Sequence, residues 1–218
     1  MLSDRAWLAV TVVVLGTYDV LRRLVIPDGA HFVTNTAMIG VVAALAVGAR
    51  ATRRELGLEH ERVRSGLRLG GLALAVVVVT VLCATAVSDD PLGLGAGRTD
   101  LGTSALLFQV LVEIPIATVV FEELAFRGLV VALLERICAP RAAMAWSALL
   151  FGLWHLGPAW PGADIAGIGR AMGIVGATAI AGVVLHLLKR RSGSLVAPVI
   201  AHWATNGAAL AIVWLMAR

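Results

Sequence analysis

Polar residues interrupt apolar segments in the second half of this sequence, and their types are those that activate water and stabilise charge. They are Glu122, Glu123 and Arg127 in one segment, His155 in a second, and His202 and Asn206 in a third. A carboxylate can accept a proton from water, whereas imidazole and amide groups can donate hydrogen bonds to a developing oxyanion. The set therefore predicts hydrolysis by an activated water molecule.

Helical spacing separates the roles within the first of these segments. Glu123 and Arg127 stand four residues apart, so their side chains meet on one helical face and form a pair that tolerates burial. Glu122 is rotated about 100° from Glu123 and is less readily covered by the arginine. A carboxylate without a counterion suits a general base, so we predict that Glu122 activates water. For Glu123 and Arg127, a purely structural ion pair is the alternative.

Sequence distance places the candidate residues at a common depth. Glu122, His155 and His202 each lie 11 to 14 residues along the chain from a basic residue that marks a membrane surface. At 1.5 Å per residue, this separation corresponds to roughly 16–21 Å. We therefore expect the three side chains to meet in one hydrated pocket. His202 and Asn206 are four residues apart, and we expect them to share one helical face.

The elements that must position these residues are transmembrane helices. Apolar residues make up 59% of the 218 residues, charged residues only 15%, and the mean hydropathy is +0.89. Soluble domains are nearer a quarter charged, so a soluble domain is excluded. We predict an all-α, polytopic transmembrane helix bundle with seven spans, or eight if Pro115 divides the longest segment. The apolar segments are 6–26, 32–49, 67–87, 102–137, 142–157, 165–188 and 194–216.

Basic residues concentrate in short stretches between the apolar segments, notably 50–68 and 189–191. The positive-inside rule places both stretches in the cytoplasm. Such a distribution does not form a continuous basic face, so we expect no nucleic-acid partner. The expected partners are the lipid bilayer and a peptide or membrane-protein substrate. The abundance of arginine, alanine, glycine and valine indicates a GC-rich bacterial genome, and hence the bacterial cytoplasmic (inner) membrane.

Other polar and aromatic residues have interfacial interpretations. Asp19, Arg22 and Arg23 form a cluster that extends from the end of a span to the membrane surface. His186 precedes the basic stretch and is expected at the interface. Trp154 is expected to line a substrate entrance or to anchor the interface.

Three short motifs, in this order on successive segments, resemble those of the CAAX protease and bacteriocin-processing family. Its members are intramembrane endopeptidases related to the type II CAAX prenyl endopeptidases. The motifs are Glu-Glu-x-x-x-Arg from residue 122, Phe-x-x-x-His ending at 155, and His-x-x-x-Asn from 202. The resemblance covers about residues 102–216. The sequence contains no repeat, low-complexity tract or linker, so we predict one integral membrane domain, 1–218. The resemblance implies variable N-terminal spans in 1–100 and a catalytic core in 101–218.

The resemblance also implies a role for each motif residue. Glu122 would be the general base, with His155 assisting it. His202 and Asn206 would bind the tetrahedral oxyanion, and the ion pair next to Glu122 would orient the site. The activity implied is cleavage of a peptide bond by glutamate-activated water.

Zinc is the one cofactor that these residue types could hold. Two histidines and a glutamate can bind Zn²⁺ with an open fourth position, and the ligands would then be Glu122, His155 and His202. However, the sequence lacks the His-Glu-x-x-His arrangement that places ligands and base on one helix. We therefore favour a mechanism without a metal, with zinc as the alternative.

Two functions from other classes are compatible with the same residues. A small proton- or ion-coupled transporter could use the buried carboxylate and histidines as a relay, although the sequence shows no inverted repeat. A non-catalytic membrane scaffold could retain the polar residues for stability alone. The endopeptidase is the interpretation that gives every motif residue a role.

Overall fold

The computed structural model describes residues 2–88, 100–156 and 165–218. Within these ranges all regular structure is helical, as the composition predicted. The helices are α1 (Asp4–Leu24), α2 (His31–Gly48), α3 (Arg53–Leu56), α4 (Val63–Thr85), α5 (Thr103–Ile137), α6 (Pro140–Trp154), α7 (Ile165–Ser192) and α8 (Val196–Met216). Single 3₁₀ turns at Asp28–Ala30 and His60–Arg62 lead into α2 and α4.

Five helical segments in the described ranges are long and apolar enough to cross a membrane. They are Asp28–Gly48, Arg53–Thr85, Thr103–Ile137, Gly167–Ser192 and Val196–Met216. The two other predicted spans are also helices, but α1 carries several charges and α6 has only 15 residues. A helix of that length falls short of the roughly 20 residues that cross a bilayer core. The integral membrane class is thus supported, whereas seven or eight spans stays a prediction.

Pro115 does not divide the long segment into two helices. α5 is unbroken from Thr103 to Ile137, and π-helical turns occupy Gln109–Val120 and Glu123–Val130. Proline removes one backbone hydrogen bond, and a local shift to π-helical turns is a known way for a membrane helix to satisfy the freed groups. The eighth span therefore finds no support in α5.

The N-terminal helices pack directly against the motif-bearing ones. One buried apolar cluster joins Leu15 and Tyr18 of α1 and Val42 of α2 to Phe121 of α5 and Trp154 of α6. α4 packs mainly on α8, and α6 on α7. The site described below is consequently surrounded by helices from both halves of the chain.

The basic stretch 50–68 is tied to the helix ends rather than extended into solvent. Gly57 adopts a left-handed conformation (φ 75°) after α3, and its carbonyl accepts a 2.8 Å hydrogen bond from the Leu195 N–H. The Arg136 guanidinium donates to Glu55 at 2.8 Å and to Asp4 at 3.1 Å. These contacts give the predicted cytoplasmic end of the bundle a fixed structure.

Candidate active site

Glu122 lies between the two π-helical stretches of α5 and is only 5% exposed. The Trp154 indole N–H, at the end of α6, donates a 3.1 Å hydrogen bond to Glu122 Oε1. The other oxygen, Oε2, has no hydrogen-bond partner among the described residues and lies 3.9 Å from His202 Nε2. That separation exceeds a direct hydrogen bond. One carboxylate oxygen is therefore fixed, and the second can accept a proton or a hydrogen bond.

Glu123 is fully buried and binds two partners through a single oxygen. Arg127 Nη1 donates to Glu123 Oε1 at 3.0 Å, which confirms the ion pair that the four-residue spacing predicted. His202 Nδ1 donates to the same oxygen at 2.7 Å. Because a carboxylate only accepts, this contact places a hydrogen on Nδ1. The second ring nitrogen of His202 is thereby left to face Glu122.

Aromatic rings form one side of this cluster. The Arg127 guanidinium carbon lies 3.8 Å from the centre of the Phe151 ring, a cation–π contact that supports a buried charge. The same ring contacts His202 edge to face, with centroids 5.9 Å apart. Phe151 is 2% exposed, so Arg127 and His202 both pack against a buried aromatic ring.

His155 lies beside the cluster without touching its carboxylates. It caps the C-terminal end of α6, is half-buried, and its ring centre lies 4.7 Å from that of Phe151. Its Nδ1 is 2.8 Å from the Phe151 carbonyl oxygen and donates to it. In the described part of the chain, His155 makes no hydrogen bond or ion pair with Glu122. Nε2 of His155 is therefore the ring nitrogen that remains available to a water molecule or a substrate.

The four-residue spacing predicted a common environment for His202 and Asn206, but the two side chains differ in exposure. His202 is 6% exposed and buried, whereas Asn206 is exposed and its Oδ1 accepts a 3.3 Å hydrogen bond from Thr205. Asn206 lies in a short stretch of π-helical turns, Ala204–Ala208. The two side chains therefore differ in exposure, and the prediction that they share one helical face stays a prediction.

Trp154 is a site residue whose role the sequence did not reveal. Besides the bond to Glu122, its carbonyl accepts a 2.9 Å hydrogen bond from Arg23, and Arg22 stacks over its ring at 5.3 Å. Asp19 pairs with both arginines, at 3.2 and 2.6 Å. The cluster of Asp19, Arg22 and Arg23 therefore contacts the tryptophan that donates a hydrogen bond to Glu122. The only sequence signal of this bond is that Trp154 is adjacent to His155.

Lys189 and His186, near the C-terminal end of α7, are both buried in the protein. Lys189 is 8% exposed, and its Nζ donates to the backbone carbonyls of Glu55 and Arg127, both at 2.6 Å. His186 is 2% exposed, so its side chain faces the protein, and its predicted place at the membrane interface stays a prediction. The two residues are three apart on α7, and that spacing turns both towards the protein. Lys189 thus supports the backbone of the buried arginine.

The residues proposed as zinc ligands do not form a metal centre in this structure. In the ranges 2–88, 100–156 and 165–218, no group of three or more His, Cys, Asp or Glu side chains is placed to hold a metal ion. His155 makes no hydrogen bond or ion pair with Glu122 in the described ranges, and the three side chains do not converge on one point. The set Glu122, His155 and His202 does not fit zinc here, and no step below uses a metal.

Comparison with known families matches the part of the chain that bears the motifs. The family model described as Type II CAAX prenyl endopeptidase Rce1-like matches residues 103–208. This segment is an Rce1-like domain. It contains all seven motif residues, and it belongs to the family that the motif order resembled.

The match places residues 103–208 in a family of peptide hydrolases, and this family implies intramembrane protease activity on peptide substrates. No curated protein and no solved structure matches the chain. Residues 1–102 lie outside the Rce1-like match, although helices α1 and α2 contribute to the core around the site.

Proposed function

We propose that this chain is an intramembrane endopeptidase in which Glu122 activates the attacking water. The observation that carries the proposal is the buried Glu122 Oε2, which lacks a partner among the described residues and lies 3.9 Å from His202 Nε2. A water bound to both atoms at about 2.8 Å would subtend about 90° at its oxygen, which is compatible with two hydrogen bonds. Trp154 holds the other carboxylate oxygen and so limits rotation of the base.

The reaction proceeds by general-base catalysis. Glu122 Oε2 accepts a proton from water as the water oxygen attacks the carbonyl carbon of the scissile peptide bond. The negative charge moves to the carbonyl oxygen, where His202 Nε2 and the Asn206 amide donate hydrogen bonds. Glu122 then returns the proton to the leaving amine, and the C–N bond breaks. Because Nδ1–H of His202 is committed to Glu123, His202 donates from Nε2 in its doubly protonated form.

His155 and the buried pair support these steps. The Phe151 carbonyl fixes a hydrogen on Nδ1 of His155, so Nε2 accepts and can assist Glu122 in orienting the water. Glu123 orients His202, and Arg127 keeps the charge of Glu123 compensated. Asn206 joins the site once its side chain rotates from Thr205 towards the substrate. Such tightening on substrate binding is common at catalytic sites.

The proposal includes a mechanism without a metal and a location in the bacterial inner membrane. The support for the first is that Glu122, His155 and His202 do not form a convergent set of three ligands in the described ranges. Elemental analysis of the purified protein should find no stoichiometric zinc, and a chelator should leave cleavage unchanged. If a chelator abolished cleavage and added zinc restored it, the mechanism without a metal would be contradicted, but the assignment as an endopeptidase would not.

The decisive experiment compares two glutamates of α5. Glu122→Gln should lower the rate of cleavage of a quenched-fluorescent peptide library by about 10²–10⁴-fold, the usual contribution of a general base. Glu113→Gln, a half-buried control on the same helix, should retain wild-type activity. The unfolding temperature of Glu122→Gln in detergent should equal or exceed that of the wild type, because the change removes a buried charge. Wild-type cleavage by a folded Glu122→Gln variant would overturn the proposal.

A further inference from the structure

A cavity of about 410 Å³ lies between α3, the turn that follows it and the C-terminal end of α7. Its volume is in the range of cavities that hold small ligands. Basic side chains dominate its lining: Arg54, Arg62, Lys189, Arg190 and Arg191. It shares no lining residue with the Glu122 and His202 cluster, so peptide hydrolysis does not account for it.

The positive charge of this basic cavity is only partly compensated. Its acidic lining residues are Glu55, Glu59 and Glu135. Glu55 is already neutralised at 2.8 Å by Arg136, which does not line the cavity. In the described ranges, none of the four lining arginines has a salt-bridge partner. Guanidinium groups offer paired N–H donors that match phosphate oxygens, so the uncompensated charge favours a phosphate over a halide.

A buried histidine in the same lining points independently to a polar ligand. His186 is 2% exposed, and neither Nδ1 nor Nε2 has a hydrogen-bond partner among the described residues. A neutral imidazole carries one donor and one acceptor, and buried polar groups are normally satisfied. A ligand in the basic cavity would supply the acceptor that the ring N–H lacks.

We propose that the basic cavity binds a phosphate group, carried either by an anionic lipid headgroup or by a small soluble phosphate compound. The arginines at the rim bind the phosphate oxygens, and His186 donates from below. Lys189 is held by two carbonyl oxygens and contributes charge to the floor rather than a free donor. The cavity lies where membrane-crossing helices end beside a basic stretch, a position at which anionic headgroups are commonly bound.

The test uses the full chain purified in detergent and measures lipid binding by native mass spectrometry. Dioleoylphosphatidylglycerol should bind at least about tenfold more tightly than dioleoylphosphatidylcholine. The variant Arg54→Gln with Arg62→Gln should lower the affinity for phosphatidylglycerol about tenfold. The matched variant Arg53→Gln with Arg64→Gln removes the same charge from the same stretch outside the cavity lining, and it should bind as the wild type does.

Competition distinguishes the two sources of the phosphate. Bound lipid that inorganic phosphate does not displace, when compared with chloride at equal ionic strength, identifies a headgroup site. Displacement by inorganic phosphate identifies a site for soluble phosphate compounds. The proposal would be overturned if the two lipids bound equally well and inorganic phosphate did not bind. It would also be overturned if both double variants lost the same affinity for phosphatidylglycerol. These readouts do not depend on protease activity.

Discussion

His202 Nδ1 lies 2.7 Å from Glu123 Oε1, the same oxygen that accepts a 3.0 Å hydrogen bond from Arg127. One buried carboxylate oxygen therefore fixes the ring of a histidine on α8 and compensates an arginine on its own helix. The opposite ring nitrogen then faces Glu122, 3.9 Å away. Second partners of this kind set the tautomer and orientation of a catalytic imidazole.

His202 should contribute to the transition state rather than to folding. Replacing His202 with Gln should lower kcat by about 10²–10³-fold, the usual effect of losing an oxyanion donor, with a smaller change in KM. His60→Gln is the matched control, because the His60 side chain is 89% exposed and far along the chain from the motifs. Steady-state cleavage kinetics provide the measurement. Equal kcat values for the two variants would remove His202 from the mechanism.

The Glu123 and Arg127 pair should matter for stability as well as activity. Their side chains are 0% and 1% exposed, so Arg127→Leu leaves a buried carboxylate without its guanidinium. We expect a loss of about 3–5 kcal/mol in the free energy of unfolding, measured by denaturant titration in detergent. The exposed Arg64→Leu should change it by less than about 0.5 kcal/mol.

A companion variant separates the lost charge from lost packing. Glu123→Gln combined with Arg127→Leu removes both charges, so it should recover much of the stability that Arg127→Leu loses. Its rate of peptide cleavage should nevertheless stay well below that of the wild type, because His202 no longer has a charged partner. If the combined variant is as unstable as the sum of the single changes, the ion pair is not what stabilises this region.

Trp154 should act by positioning Glu122. The change Trp154→Phe keeps an aromatic ring but removes the indole N–H that donates to Glu122 Oε1 at 3.1 Å. We expect kcat to fall by about 10- to 100-fold, since one hydrogen bond to a charged group contributes about 1.5–3 kcal/mol. Trp146→Phe is the control on the same helix, because Trp146 is 56% exposed. Similar rates for both variants would show that the indole bond does not position the base.

Close packing of α6 on α7 should depend on Gly152. A Cβ added at Gly152 would lie 2.7 Å from the Val175 carbonyl oxygen, a backbone atom that cannot move independently. Gly152→Ala should therefore lower the free energy of unfolding by about 1–3 kcal/mol. Gly176→Ala on α7 meets no atom within 4 Å and should be neutral or stabilising by up to about 1 kcal/mol. Unfolding titrations of the two variants check the difference.

The sequence by itself determined the helical class, the membrane location, the motif order and the ion pair of Glu123 with Arg127. These features follow from composition or from contacts within one helix. Apolar segments of about 20 residues leave few alternatives to membrane helices, and a four-residue spacing brings two side chains together on one face. Within α8 the same rule did not reveal that Asn206 is exposed whereas His202, four residues earlier, is buried.

Only the tertiary structure decided which partners the site residues have. His202 and Glu123 are 79 residues apart, and Trp154 and Glu122 are 32 apart, so neither contact is encoded by local spacing. Each depends on how two helices are rotated and how closely they cross, and the packing of many side chains sets both quantities. The inward-facing positions of Lys189 and His186 have the same origin. Hydropathy identifies a basic stretch, but the rotation of α7 determines which of its side chains enter the protein.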